Sequence, residues 1–161
     1  MKQRLVLLKL ILEKLKISSD ISTTKDRKRI QKTIYLCQAK GIRLNYHFGW
    51  YIMGPYSPSL AQDYYEMDED LATGILDIKD KKLVPEISET LGKLETLLIV
   101  PKGTNLEQED WLELVSSVHY LTKESKYDED KTSKIIEEEK PNLAPYFNPA
   151  LNAVRESHFG K

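Results

Sequence analysis

The chain has 161 residues, of which 40% are hydrophobic and 30% charged, with a single cysteine. This length fits one domain, residues 1–161, able to bury on the order of two thirds of its unfolded surface, and one thiol excludes an internal disulfide framework. The net charge of −1 conceals a split: residues 1–44 carry twelve Lys/Arg against three Asp/Glu, and the rest carries twelve against twenty-two, as in a nucleic-acid face, a charged docking surface, or a molecule whose halves attract.

The first sixteen residues are apolar with helical spacing at Leu5, Leu8, Leu12 and Leu15. Lys9, Glu13 and Lys14 interrupt the run and no small-residue cleavage site follows. A membrane span needs about 20 apolar residues, so the expectation is a cytoplasmic chain without a signal peptide. The polar stretch SSDISTT favours a turn or cap. A second helix is expected from Lys25 to Lys40, with Ile30, Ile34 and Cys37 on one face and Gly41 as its left-handed stop. Cys37 reads as a small buried hydrophobe rather than a nucleophile.

From Arg43 to Met53 the period changes to two, with Leu44, Tyr46, Phe48, Trp50 and Ile52 alternating with polar or small residues. That predicts a strand or extended arm with one buried face. GPYSP then ends the arm. Pro55 drives Gly54 away from the helical region, Ser57 is a good N-cap, and Pro58 suits the first helical position. A helix over 58–72 follows, with Leu60, Tyr64, Met67 and Leu71 in register. Residues 75–84 are expected to form a short hairpin or wing. Further helices are expected from Pro85, from about 106 to 123 after a Thr104 or Asn105 cap, over SKIIEEE up to Lys140-Pro141, and from 149 to 157 after Asn148-Pro149. The expected class is mainly α, one helical domain with a short β element of winged-helix-like character (24–84), followed by a helical half (85–158).

Motifs for chemistry are sparse. His47, His119 and His158 fall in separate segments without ligand spacing, there is no glycine-rich phosphate loop, and Ser57 and Ser59 sit in no nucleophile elbow. The acidic runs read as solvated faces. The expectation is a non-enzyme with no catalytic residues, metal or cofactor. Two surfaces remain. Lys25, Arg27, Lys28, Arg29 and Lys32 crowd one helix start and would suit phosphates, the basis of an alternative DNA-binding reading. Tyr46, Trp50, Tyr51, Tyr56 and Tyr65 concentrate aromatic area of the kind enriched at protein contacts. Trp50 is expected to pack inward, with Tyr51 or Tyr56 at least partly exposed. EEEKPNLAPYFNP is a second candidate surface.

RKRIQKTIYLCQAKGIRLNYHFGWYIMGPYSPSLAQDYYEM, with WLELVSSVHYL and EEEKPNLAPYFNPALNAV downstream, resembles the YwgA-like family of uncharacterised bacterial proteins over roughly residues 25 to 155. The first part is also similar to the Panacea or SocA-like antitoxin domain, although Met53 stands where an aromatic or small residue is usual. The resemblance implies a small bacterial accessory protein acting through protein contacts, in a toxin–antitoxin or phage-defence operon whose neighbouring gene would encode its partner. It brings no catalytic residues.

Overall fold

A computed structural model describes residues 2–159. Among them are seven α-helices and one two-stranded antiparallel hairpin. In chain order these are α1 (Gln3–Lys14), α2 (Thr24–Ala39), β1 (Gly49–Tyr51), β2 (Gly54–Tyr56), α3 (Pro58–Ala72), α4 (Pro85–Leu94), α5 (Gln108–His119), α6 (Glu129–Glu139) and α7 (Phe147–Glu156). A π-helical turn, Tyr120–Glu124, extends α5, and a 3₁₀ turn, Ala144–Tyr146, precedes α7. No described helix is long and apolar enough to cross a membrane.

The punctuation read from the sequence sets most boundaries. Thr23 caps α2 through a reciprocal capping box with Asp26. Gly41, at φ +115°, closes α2 with the paired bonds Gly41 N–H to Gln38 O and Ile42 N–H to Cys37 O. Ser57 caps α3, its hydroxyl accepting from Leu60 N–H at 3.2 Å, with Pro58 in the first turn.

Helix α5 is the centre of the molecule. It packs against α2 on one side and α7 on another, and every residue from Trp111 to His119 is buried. Its apolar face, Trp111, Leu114, Val115 and Val118, joins Ile30, Ile34 and Cys37 of α2 in one core that also takes residues from α1, α3, α4, α6 and α7. A helix enclosed on all sides must also bury its polar positions, here Glu109, Glu113, Ser116, Ser117 and His119. Those residues decide the chemistry beneath the hairpin.

Four expectations need correction. The hairpin lies at 49–56, not at 75–84, where the chain is irregular. The 43–53 arm is strand only at 49–51 and turns left-handed at Asn45, φ +64°, and Ile52, expected on its buried face, is 89% exposed. Neither Thr104 nor Asn105 caps α5, which starts after Glu107. Asn148 lies inside α7 rather than before it, because the turn at Ala144–Tyr146 already leads the chain into helix.

Candidate functional site

The hairpin reverses over Ile52 and Met53, with Tyr51 opposite Gly54 and Gly49 opposite Tyr56. Neither turn residue has positive φ, whereas Gly54 takes φ +92°. That is the signature of a turn followed by a glycine bulge, which adds twist to a short ribbon. Gly54 also sits hard against α5: a Cβ built there would lie 2.5 Å from Ser117 Oγ. The glycine therefore answers two demands, backbone conformation and close approach.

A two-stranded ribbon is marginal alone, and this one is braced by side chains that take over its unpaired backbone groups. Gln31 of α2 donates through Nε2 to Ser57 O at 2.9 Å and accepts from Ser57 N–H through Oε1 at 2.9 Å. Lys32 donates to Pro55 O at 2.6 Å. Lys140, just past α6, donates to Ile52 O at 2.8 Å. Two turns along α2, Gln38 repeats the two-point bracing on Tyr46, with N–H to Oε1 at 2.9 Å and Nε2 to carbonyl at 2.8 Å. The extended arm is thus paired with a glutamine side chain instead of a strand.

Beneath the ribbon two lysines hold one carboxylate, and a third lysine lies near them without touching it. Glu113 receives Lys28 Nζ at 2.5 Å on one oxygen and Lys140 Nζ at 2.7 Å on the other. Asp110 adds a second bond to Lys28 at 2.8 Å. Lys32 has no carboxylate in contact, only the Pro55 carbonyl, and is 1% exposed. Its burial, opposed by Glu113 and reinforced by Lys140 and Lys28, pushes its pKa down to about 7.

The aromatic residues divide in two. Trp50 is partly buried: it stacks on Tyr120 at 5.6 Å, lies under the Lys140 ammonium at 5.2 Å, and donates Nε1–H to Glu139 at 3.1 Å. Tyr46 is anchored by its hydroxyl, which donates to Asp63 at 2.7 Å. The other three remain open to differing degrees. Tyr51 is 49% exposed, meets the half-buried Tyr56 ring edge-on at 5.3 Å, and leads to Ile52 and Met53, 89% and 44% exposed. Tyr65 is 51% exposed beside the buried Tyr64. The turn residues Ile52 and Met53 were not singled out in the sequence because alternation placed Ile52 on the buried face. Glu137, Glu138 and Glu139 are exposed on the last turn of α6, joined to the hairpin through the Glu139–Trp50 bond. The aromatic end of the second candidate surface turns inward instead, with Leu143 and Phe147 in the core.

The basic stretch of α2 is not a phosphate-facing cluster. Lys32 points into the protein, Lys28 meets Asp110 and Glu113, and Arg29 bonds Glu109 at 3.0 Å and Asp26 at 3.2 Å. Arg27 caps the Ile21 carbonyl at 2.7 Å, and of the five only Lys25 is fully exposed. The same pattern explains the charge split of the sequence. Lys2 pairs with Glu66 and Asp70, Arg4 with Asp63 and Glu66, and Lys14 with Glu95, so the basic first quarter is drawn onto the acidic remainder.

His47 and His119 border one cavity, and His158 borders another. His119 is buried, with Nδ1 held by the Tyr35 hydroxyl at 2.7 Å, and desolvation lowers its pKa to about 4. Burial raises the Cys37 thiol pKa well above its ordinary value, which keeps it protonated.

The segments that carried the family resemblance therefore meet at one place. Gln31-Lys32, Gly54 to Ser57, Glu113 and Lys140 form a single bonded group. No family model, curated protein or solved structure matches the chain.

Proposed function

We propose that the protein is a non-enzymatic interaction module that presents the hairpin tip to a protein partner. The observation that carries this reading is a contrast within a few residues. The backbone of the ribbon is fixed by Gln31 and Lys32 at its base and by Lys140 at the Ile52 carbonyl, while the side chains of Ile52 and Met53 at its tip, and half of Tyr51, face outward. A rigid base lowers the ordering cost of binding, and an exposed apolar tip supplies the area that association buries. Glu139 bonds the ribbon at Trp50 and continues an exposed acidic run with Glu137 and Glu138, so the complementary surface is an apolar pocket with Lys or Arg at its edge. The buried ionisable groups nearby hold backbone carbonyls and one another, which suits a structural role better than a reaction.

The resemblance to YwgA-like and SocA-like proteins supplies the narrower setting: an accessory subunit or antitoxin-like component of a bacterial toxin–antitoxin or phage-defence system, its partner encoded in the same operon. The alternative of DNA binding through Lys25 to Lys32 loses its support, since Lys28, Arg29 and Lys32 already have partners inside the protein.

The test is co-expression with the neighbouring genes and mass measurement of the purified assembly. A 1:1 or higher-order complex with one of those products, lost in a Tyr51→Ser/Ile52→Ser/Met53→Ser variant and kept in Ile99→Ser, supports the reading. Ile99 is 67% exposed and lies outside the hairpin. A complex retained by the tip variant, or none at all, refutes it.

A further inference from the structure

A cavity of about 230 Å³ lies between α2, the 46–48 arm and the end of α5, and its lining includes no residue of the hairpin. Its walls are rings. Tyr35 and Phe48 meet at 5.2 Å and 82°, which makes two walls at nearly a right angle. Tyr120 stands 6.2 Å from Tyr35 as a third wall. The faces of such rings carry partial negative charge, and several facing one space form a cage for a cation.

Its polar groups point the same way. Glu124 stands exposed on the rim, and among the described residues no cation pairs with it. Tyr120 and Glu124 are brought to the cavity by the π turn, closed by Ser125 N–H to Tyr120 O at 2.9 Å. Such turns are frequent at functional sites. The His119 imidazole is neutral near pH 7 because burial disfavours its charged form, so it does not repel a cation. Lys123 borders a different cavity, with Tyr127 and Glu129, although its charge adds to burial in lowering the His119 pKa. The volume falls below the roughly 300–1,000 Å³ of drug-sized sites, so a small head group suits it better than a nucleotide.

We propose that this cavity binds an organic cation, an ammonium or guanidinium head group, caged by Tyr35, Phe48 and Tyr120 and balanced at the rim by Glu124. The site stands on its own ring geometry and does not depend on the hairpin's partner. The cation has two possible sources, a free amine or a lysine or arginine side chain of another protein.

The experiment titrates the full chain with choline, its uncharged isostere 3,3-dimethylbutan-1-ol, and N-acetyl-arginine methylamide, following tyrosine ring signals by NMR. At least one cation is expected to saturate, with the isostere weaker by about tenfold or more. Tighter binding of the arginine derivative assigns the site to a protein side chain, and tighter binding of choline to a free amine. Glu124→Gln is expected to weaken cation binding severalfold with an unchanged circular dichroism spectrum, since Glu124 is exposed. Phe48→Ala is expected to abolish it. Equal binding of cation and isostere, no saturation by either cation up to about 50 mM, or unchanged binding in Glu124→Gln overturns the proposal.

Discussion

The Lys32 ammonium donates a 2.6 Å hydrogen bond to the carbonyl of Pro55, in a site closed to solvent. A helix residue read as part of a basic surface is instead the support under a proline-containing strand. Pro55 cannot donate to a ladder, so its carbonyl is the group that must be satisfied, and Lys32 reaches it from below.

The burial of this ammonium makes stability depend on pH. The Lys32 pKa falls from 10.5 in the unfolded chain to about 7 in the folded one. Between those values the unfolded state binds more protons, so stability from this group rises as pH rises from about 7 to 10.5 and is flat below 7. Lys32→Met removes that dependence. The gap in unfolding free energy between wild type and Lys32→Met is expected to move toward wild type by on the order of a few kcal/mol across that interval. Urea titrations at pH 7 and 10 check it, and a constant gap contradicts it.

Gln31→Leu leaves the buried Ser57 N–H without a partner, while the Ser57 carbonyl keeps its bond from Ala61 N–H. One orphaned backbone donor gives an expected loss of about 1–3 kcal/mol. Gln31→Glu keeps the acceptor for the N–H and, while protonated at low pH, an O–H donor as well, so it should be intermediate there and worse at neutral pH, where the ionised carboxylate loses that donor. Denaturant midpoints for the three proteins give the order.

Gly54→Ala meets two separate obstacles. Its φ of +92° disfavours any side chain, and its Cβ collides with Ser117 Oγ. Together these are expected to lower stability by about 2–4 kcal/mol. Adding Ser117→Ala relieves the collision alone, so the double variant should recover part of the loss and not all of it. Ser117 Oγ has no hydrogen-bond partner, so Ser117→Ala by itself should be close to neutral. Strict additivity in this cycle would mean the two positions do not touch.

Local signals carried far into the structure. Thr23, Gly41, Ser57 and Pro58 set helix ends through their own backbone chemistry, and the alternation at 43–53 marked the strand at 49–51. The buried polar group was not legible. Lys28 and Lys32 share a helical face whether it meets water or a glutamate, and spacing cannot distinguish the two. Glu113 lies within an apolar run, and only the central position of α5 forces it inside. The wing expected at 75–84 failed because apolar ends around a charged centre do not specify pairing, whereas the true turn, Ile52-Met53, lacks the usual turn residues and relies on the glycine after it. The charge split was legible as a fact, but its use in intramolecular pairing required knowing which helices are neighbours.

The hairpin tip as a protein-binding surface is the central claim, and amide hydrogen exchange on the purified complex tests it most directly. The account predicts added protection at residues 49–56, with a smaller effect at 137–139, and little change in α4 and α7. Protection confined to α4 and α7, with 49–56 exchanging as in the free protein, would contradict it.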